Sequence, residues 1–127
     1  MRIASYNIMS GGFNSYTYGY SIPDRLYLLR KAIKLISADF IGLIDTFRWR
    51  DIYTEKDLKK LFGYKKVFYI NMNDTRVDKN IGIVVMTNLP VNDFKNVRLY
   101  NRDCIKITLI EKKILIDVFT IYLNISR

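Results

Sequence analysis

The amino-acid sequence predicts a layered α/β domain, and three stretches near its start carry that expectation. Residues Met1 to Ile8 alternate, with Ile3, Ser5 and Asn7 on one face of a strand and Ala4, Tyr6 and Ile8 on the other. Leu26, Leu29, Ile33 and Ile36 follow at spacings of three and four, the single apolar stripe of a helix. Phe40-Ile-Gly-Leu-Ile44 is then a short unbroken apolar run, which reads as a strand buried on both faces. Strand, crossover helix and strand make one unit whose two strands are parallel neighbours.

The first strand breaks at Gly11-Gly12, where the chain must turn sharply. Asn7 therefore stands near the C-terminal end of a strand, the place where ligands collect in layered α/β proteins. A lone Asn there is more often a turn former bonding its own backbone. The segment from Gly12 to Ile22 carries Tyr16, Tyr18 and Tyr20 and fits a surface loop, a strand, or a platform for stacking on bases or sugars. Ser21 is the expected helix cap, with Pro23 in the first turn and Asp24 at the positive end of the dipole. Arg25, Arg30, Lys31 and Lys34 fall away from the apolar stripe and give the helix a basic, solvated face.

The second strand ends at Asp45, so the unit delivers Asn7 and Asp45 to the same ends of two neighbouring strands. An ionisable residue directly after a buried strand needs a reason, and binding a cation is the leading one. A second helix is expected from Thr54 to Phe62, capped by Thr54 and closed by Gly63. Tyr64 to Met72 reads as a strand, and Asn71 to Asn80 as a polar loop. Within that loop Asn73, Asp74 and Asp78 resemble part of a calcium loop but lack its Gly and closing Glu. Ile81 to Met86 is another buried strand, stopped by Thr87-Asn-Leu-Pro90. Strands at Val97–Tyr100, Cys104–Ile110 and Ile114–Leu123 complete the pattern, the last two joined by a hairpin turn at Glu111-Lys112-Lys113. No repeat, linker or low-complexity segment divides residues 1–127, which read as one domain.

Composition narrows the chemistry. The 127 residues include 21 Lys plus Arg against 12 Asp plus Glu, a net charge of +9. That balance favours polyanions such as nucleic acid, phosphorylated ligands or an anionic membrane surface, and it also serves solubility. The single cysteine, Cys104, excludes an internal disulfide and sits in an apolar run as a buried, inert thiol. A reducing, cytoplasmic setting is expected, with no membrane-spanning stretch and no signal peptide. There is no histidine, so Ser-His-Asp, Cys-His and His-ligated metal chemistry are excluded within this chain. Any metal site must be built from oxygen ligands, which suits Mg²⁺, Mn²⁺ or Ca²⁺.

Four stretches in order resemble the endonuclease/exonuclease/phosphatase family, which includes DNase I-like and exonuclease III-like enzymes. Met1-Arg-Ile-Ala-Ser-Tyr-Asn7-Ile resembles its opening strand with the signature Asn, and Ala38-Asp-Phe-Ile-Gly-Leu-Ile-Asp45 its P-D-I-I-G-L-Q-E. Gly82-Ile-Val-Val-Met-Thr-Asn-Leu-Pro90 resembles its G-x-A-I-L-S-x-x-P strand, and Ile105 to Leu123 the hairpin whose second strand ends near the site. The resemblance implies metal-assisted attack of water on a phosphodiester or phosphomonoester, with Mg²⁺ or Mn²⁺ on Asp45. Asn7 would orient the phosphate or a neighbouring ligand. Tyr122, where many members have His, would donate a hydrogen bond to a phosphate oxygen, and Arg98 is a further candidate for touching substrate phosphate, although a plain surface arginine reads as well.

The departures are as informative. The family's metal carboxylate is usually Glu, one methylene longer than Asp45, and Ile44 replaces the usual Gln. The G-D-F-N and S-D-H motifs of the family's second half, which supply an acid/base Asp, a second metal carboxylate and a His, are absent. The resemblance therefore implies the N-terminal half of a four-layered α/β/β/α sandwich: one mixed, mainly antiparallel sheet with helices on one face and its other face bare for a C-terminal half or a partner chain. The function expected is the N-terminal portion of a Mg²⁺-dependent nuclease, inactive alone. The alternatives are a non-catalytic nucleic-acid- or partner-binding remnant, and half of a lipid or inositol phosphate phosphatase.

Overall fold

A computed structural model of the chain describes residues 1–8, 22–46, 49–71, 82–99 and 102–121. Its elements run β1 (Ile3–Asn7), α1 (Ile22–Ile36), β2 (Phe40–Ile44), α2 (Trp49–Ile52), α3 (Glu55–Phe62), β3 (Lys66–Asn71), β4 (Gly82–Thr87), β5 (Val91–Leu99), β6 (Arg102–Glu111) and β7 (Ile114–Ile121). The first four strands form a mixed sheet in the order β1-β2-β4-β3, and the last three an antiparallel sheet in the order β5-β6-β7. β1 and β2 are parallel, with Ile3 opposite Phe40 and Asn7 opposite Ile44. The strand–helix–strand unit thus folds as its periodicity predicts.

The helices cover one face of the mixed sheet. Leu29 and Ile33 of α1, Trp49 of α2 and Leu58 of α3 are buried against Ile41, Leu43, Val84 and Met86. Trp49 anchors this layer: its ring stacks on Phe62 at 6.2 Å and meets Tyr53 edge-on at 6.0 Å. The α2 turn was not foreseen, because four residues are too short to show a period.

The other face of the mixed sheet is covered by the chain itself, which corrects the expectation of a single sheet with a bare inner face. Phe40, Ile70, Ile83 and Val85 pack against Ile105, Ile107 and Leu109 of β6 in a second core. The chain changes sheets at Thr87 to Pro90, where the Thr87 hydroxyl accepts a hydrogen bond from the Leu89 amide at 3.0 Å. Pro90 cannot donate to a ladder, so pairing with the first sheet stops there. β5 then begins at Val91, earlier than the expected Val97, with a register shift between Val91 and Asp93. The outward face of the second sheet mixes polar and apolar side chains. Asp117 accepts from the Thr108 hydroxyl at 2.6 Å and pairs with Lys106 at 3.0 Å, while Leu115 and Phe119 stand exposed among them. Cys104 is buried, and desolvation pushes its thiol up, as an inert core thiol requires.

α3 has both of the caps its sequence announces. Thr54 and Asp57 bond each other's backbone amides in a capping box, and Gly63 closes the helix at φ 77°. Hydrogen bonds from the Thr54 amide and hydroxyl hold the Asp57 carboxyl below its usual value. A depressed carboxylate stabilises the fold fully above about pH 4 and loses that contribution as pH falls through the folded value. Loss of the N-cap hydroxyl in Thr54→Ala should cost about 1 kcal/mol in urea denaturation near neutral pH. It should also flatten the acid limb of the stability curve; an unchanged limb would show that the box is energetically idle.

Candidate functional site

Parallel pairing brings the ends of β1 and β2 together. The Ile8 amide donates to the Ile44 carbonyl at 3.0 Å, extending the ladder to the rim, so Asn7 and Asp45 sit on adjacent strand ends of one sheet. Asn7 is exposed and Asp45 half-buried. Asp45 lies at φ 64°, in the left-handed region. Asp and Asn tolerate that conformation better than longer side chains, which gives a local reason for Asp at this corner.

The corner is held from below. The Thr46 amide donates to the Gly82 carbonyl at 2.9 Å, and the Trp49 amide to the Thr46 carbonyl at 3.2 Å. Gly82 suits the close approach: a Cβ there would stand 3.2 Å from Thr46 Oγ1 and 3.3 Å from the Ile70 carbonyl oxygen, so a neighbour would have to give by a few tenths of an ångström. Thr46 Oγ1 is itself buried with no hydrogen-bond partner among the described residues. Thr46 has no signature in the sequence, and Gly82 stands out there only as the opening Gly of the strand motif, with nothing local to tie it to Thr46.

Arg98 lies on β5 opposite Asp103 of β6, and its side chain lies outside the described residues, as does the whole of Tyr122. The strand ends nearest them can be placed. The Met1 amino group pairs with Glu111 at 3.3 Å, tying the start of β1 to the β6–β7 turn. Gly42 faces Thr120, with the position of a Cβ 3.6 Å from Thr120 Cγ2. β7 therefore runs in the same direction as β1 and β2 and finishes at Ile121 toward the end of the sandwich that holds Asn7 and Asp45. The Arg98–Asp103 pair lies at that same end. The tyrosine-bearing segment 16–20 and the Asn73, Asp74 and Asp78 loop lie outside the described residues.

A further cation stands near this end. Arg50 of α2 lies over the Tyr69 ring at 5.2 Å and reaches the Tyr69 carbonyl at 3.5 Å. Burial pushes the Tyr69 phenol well above its ordinary value, and its hydroxyl donates to the Tyr53 carbonyl at 2.8 Å, so this ring is a support and not an acid.

Among the described residues there is no group of three or more His, Cys, Asp or Glu that could hold a metal ion. What the rim supplies is one carboxylate and one amide, both hard oxygen donors. That set suits an ion such as Mg²⁺, which keeps most of its waters and takes one or two carboxylates together with substrate phosphate.

No family model and no curated protein matches the sequence. Solved structures do match. Humanized D. rerio TDP2 carrying 14 mutations aligns with a TM-score of 0.71 at 15% identity, over 100% of this chain and 48% of that one. An endonuclease/exonuclease/phosphatase family protein from Leptotrichia buccalis aligns at 0.67 and 15% identity, over 98% and 55%. An AP endonuclease from Archaeoglobus fulgidus aligns at 0.61 and 18% identity, over 96% and 40%. The chain has the endonuclease/exonuclease/phosphatase fold, and it spans about half the length of the structures it matches.

Proposed function

We propose that this chain is the N-terminal portion of a Mg²⁺- or Mn²⁺-dependent phosphodiesterase acting on nucleic acid. The observation that carries the proposal is the meeting of Asn7 and Asp45 on adjacent parallel strand ends, within a fold shared with nucleases. In this reading Asp45 holds the ion and Asn7 orients a phosphate oxygen. Tyr122 and Arg98 contribute a hydrogen bond and a charge to the substrate. Bound there, the ion supplies Lewis-acid chemistry, polarising a phosphoryl oxygen and activating water for attack. The Thr46–Gly82 corner keeps Asp45 on the rim. A net charge of +9 raises the local concentration of a polyanionic substrate.

The chain holds groups that bind and orient a phosphodiester, but it has no histidine to contact the scissile phosphate and lacks the motifs expected of a second half. Proton transfer and charge stabilisation are each worth roughly a hundredfold or more. Turnover by the chain alone should stay near background. The edges of the sandwich support a completing half. Among the described residues, β1 pairs only with β2, and β7 only with β6. With four strands in one sheet and three in the other, inward-facing Ile3 of β1 stays 46% exposed. A strand added beside β7 would cover it.

Plasmid nicking in Mg²⁺ against EDTA tests the reading. The chain alone should bind DNA in a Mg²⁺-sensitive way and nick it no faster than buffer. Robust Mg²⁺-dependent nicking by the chain, abolished in Asp45→Ala, would overturn its inactivity. DNA binding indifferent to Mg²⁺ and to Asp45 would favour the non-catalytic binding module.

A further inference from the structure

The end of the sandwich opposite the candidate site is lysine-rich. Strand register defines that end: Lys66 opens β3 opposite Thr87, which closes β4 opposite Phe40, the first residue of β2. α1 and α3 both finish there, bringing Lys34, Lys59 and Lys60 in their last turns. Lys65 and Lys66 follow α3 directly, and Lys112 and Lys113 form the β6–β7 turn that the Met1 amino group reaches through Glu111. All of these lysines are exposed. The acidic groups nearby are already engaged: Asp39 accepts from the Arg2 amide at 2.7 Å, and Glu111 pairs with the Met1 amino group at 3.3 Å.

Two features separate this end from an ordinary solvated face. Lys112 and Lys113 lie at φ 48° and 68°, both left-handed, in a two-residue hairpin turn where Asn-Gly is the unstrained choice. Lysine occupies both positions against the backbone preference. Second, the exposed apolar side chains beside the lysines are aliphatic. Leu35 next to Lys34 is 84% exposed, and Ile114 and Leu115 next to Lys113 are 64% and 59% exposed. Phe40 and Tyr64, rings at this end, are buried, Tyr64 with its hydroxyl donated to the Ala38 carbonyl, and the Arg2 guanidinium is engaged with the Ile36 carbonyl at 2.8 Å. Single-stranded nucleic acid is met by stacking rings and guanidinium groups. Lysines interleaved with exposed aliphatic side chains suit a surface that is both anionic and oily.

We infer that this lysine-rich end docks on an anionic lipid bilayer, holding the Asn7–Asp45 rim outward toward solvent. No described helix is long and apolar enough to cross a membrane, so the contact is peripheral. It is electrostatic in reach and reinforced by shallow insertion of Leu35, Ile114 and Leu115.

Vesicle co-sedimentation tests it. The chain should sediment with phosphatidylserine-containing vesicles, not with pure phosphatidylcholine, and release as salt rises. K112N/K113G should raise Tm by relieving the turn, yet weaken partitioning roughly 10- to 30-fold, since each lysine near such a surface is worth about 1 kcal/mol. Stability and binding then move in opposite directions, which a merely structural turn would not produce. L35S/L115S should weaken binding while leaving its salt dependence intact, and K59Q/K60Q should reduce that dependence. D45N should leave vesicle binding unchanged, so loss of the metal-site reading would not touch this one. Equal sedimentation with neutral and anionic vesicles would overturn the inference, as would full binding by K112N/K113G. Tighter binding to short duplex DNA than to vesicles, lost in the same lysine variant, would overturn it in favour of a second nucleic-acid surface.

Discussion

Asp45→Asn should abolish divalent-cation binding while leaving the domain folded. Asn keeps the size of the side chain and is at ease at φ 64°, so the backbone of the corner between β2 and α2 is kept while the charge is removed. Under the proposed function Asp45 is the anionic ligand at the rim. Removing even an outer hydrogen-bond partner of a metal ligand commonly costs 10- to 100-fold in affinity. Removing the ligand's charge should cost at least that, and Mn²⁺ titration followed by water-proton relaxation reads it directly. Thermal unfolding should show a Tm close to the parent in metal-free buffer. A variant that still takes up Mn²⁺ with parental affinity would remove Asp45 from the site and leave the fold without its proposed chemistry. Asn7→Ala offers the contrast: an amide that orients phosphate should weaken DNA binding more than it weakens metal binding.

Trp49→Ala should bring the chain close to unfolding. Trp49 is 1% exposed, stacks on Phe62 and meets Tyr53 edge-on, so its removal opens a cavity between α2, α3 and the mixed sheet. Large aromatic truncations in a core cost about 3–5 kcal/mol. Set against a typical total of roughly 5–15 kcal/mol, that is a large share. The same substitution keeps the backbone bond from residue 49 to the Thr46 carbonyl but removes the buried ring that anchors that turn against the core. Urea unfolding followed by far-ultraviolet circular dichroism should show the midpoint collapse, with loss of metal uptake tracking the unfolded fraction. Trp49→Phe should recover most of the stability. A fully stable alanine variant would mean that α2 contributes little to the core.

Much of this architecture can be read from local pattern. The period of two in β1, the stripe Leu26, Leu29, Ile33 and Ile36, and the apolar run Phe40–Ile44 each belong to one element and its immediate burial, and all three fold as they read. The Thr54 and Gly63 caps are legible for the same reason: their partners lie within four residues. The absence of histidine and the position of Asp45 after a buried strand point toward oxygen-ligand chemistry before any fold is known.

What local pattern does not carry is the partner of each face. Alternation in β5, β6 and β7 announces strands but is silent on whether they extend the first sheet or stack on it. The turn at Thr87–Pro90 decides that, and the result covers the face expected to be bare. The half-length reading consequently rests on the span of the matched structures and on β1 and β7 being edge strands among the described residues, and not on an exposed apolar sheet face. Thr46 and Gly82 became visible at the site only through a contact between residues far apart in the chain.

The sequence by itself determined most of the elements, the absence of histidine ligands and the placing of Asn7 and Asp45 at neighbouring strand ends across a crossover helix, because each follows from composition or from periods and connections a few residues to one helix long. Tertiary structure alone decided that two sheets close on each other and that the lysines of α1, α3 and the last hairpin gather at one end. Those outcomes depend on which surfaces exclude water together, a property of distant segments that no single stretch contains.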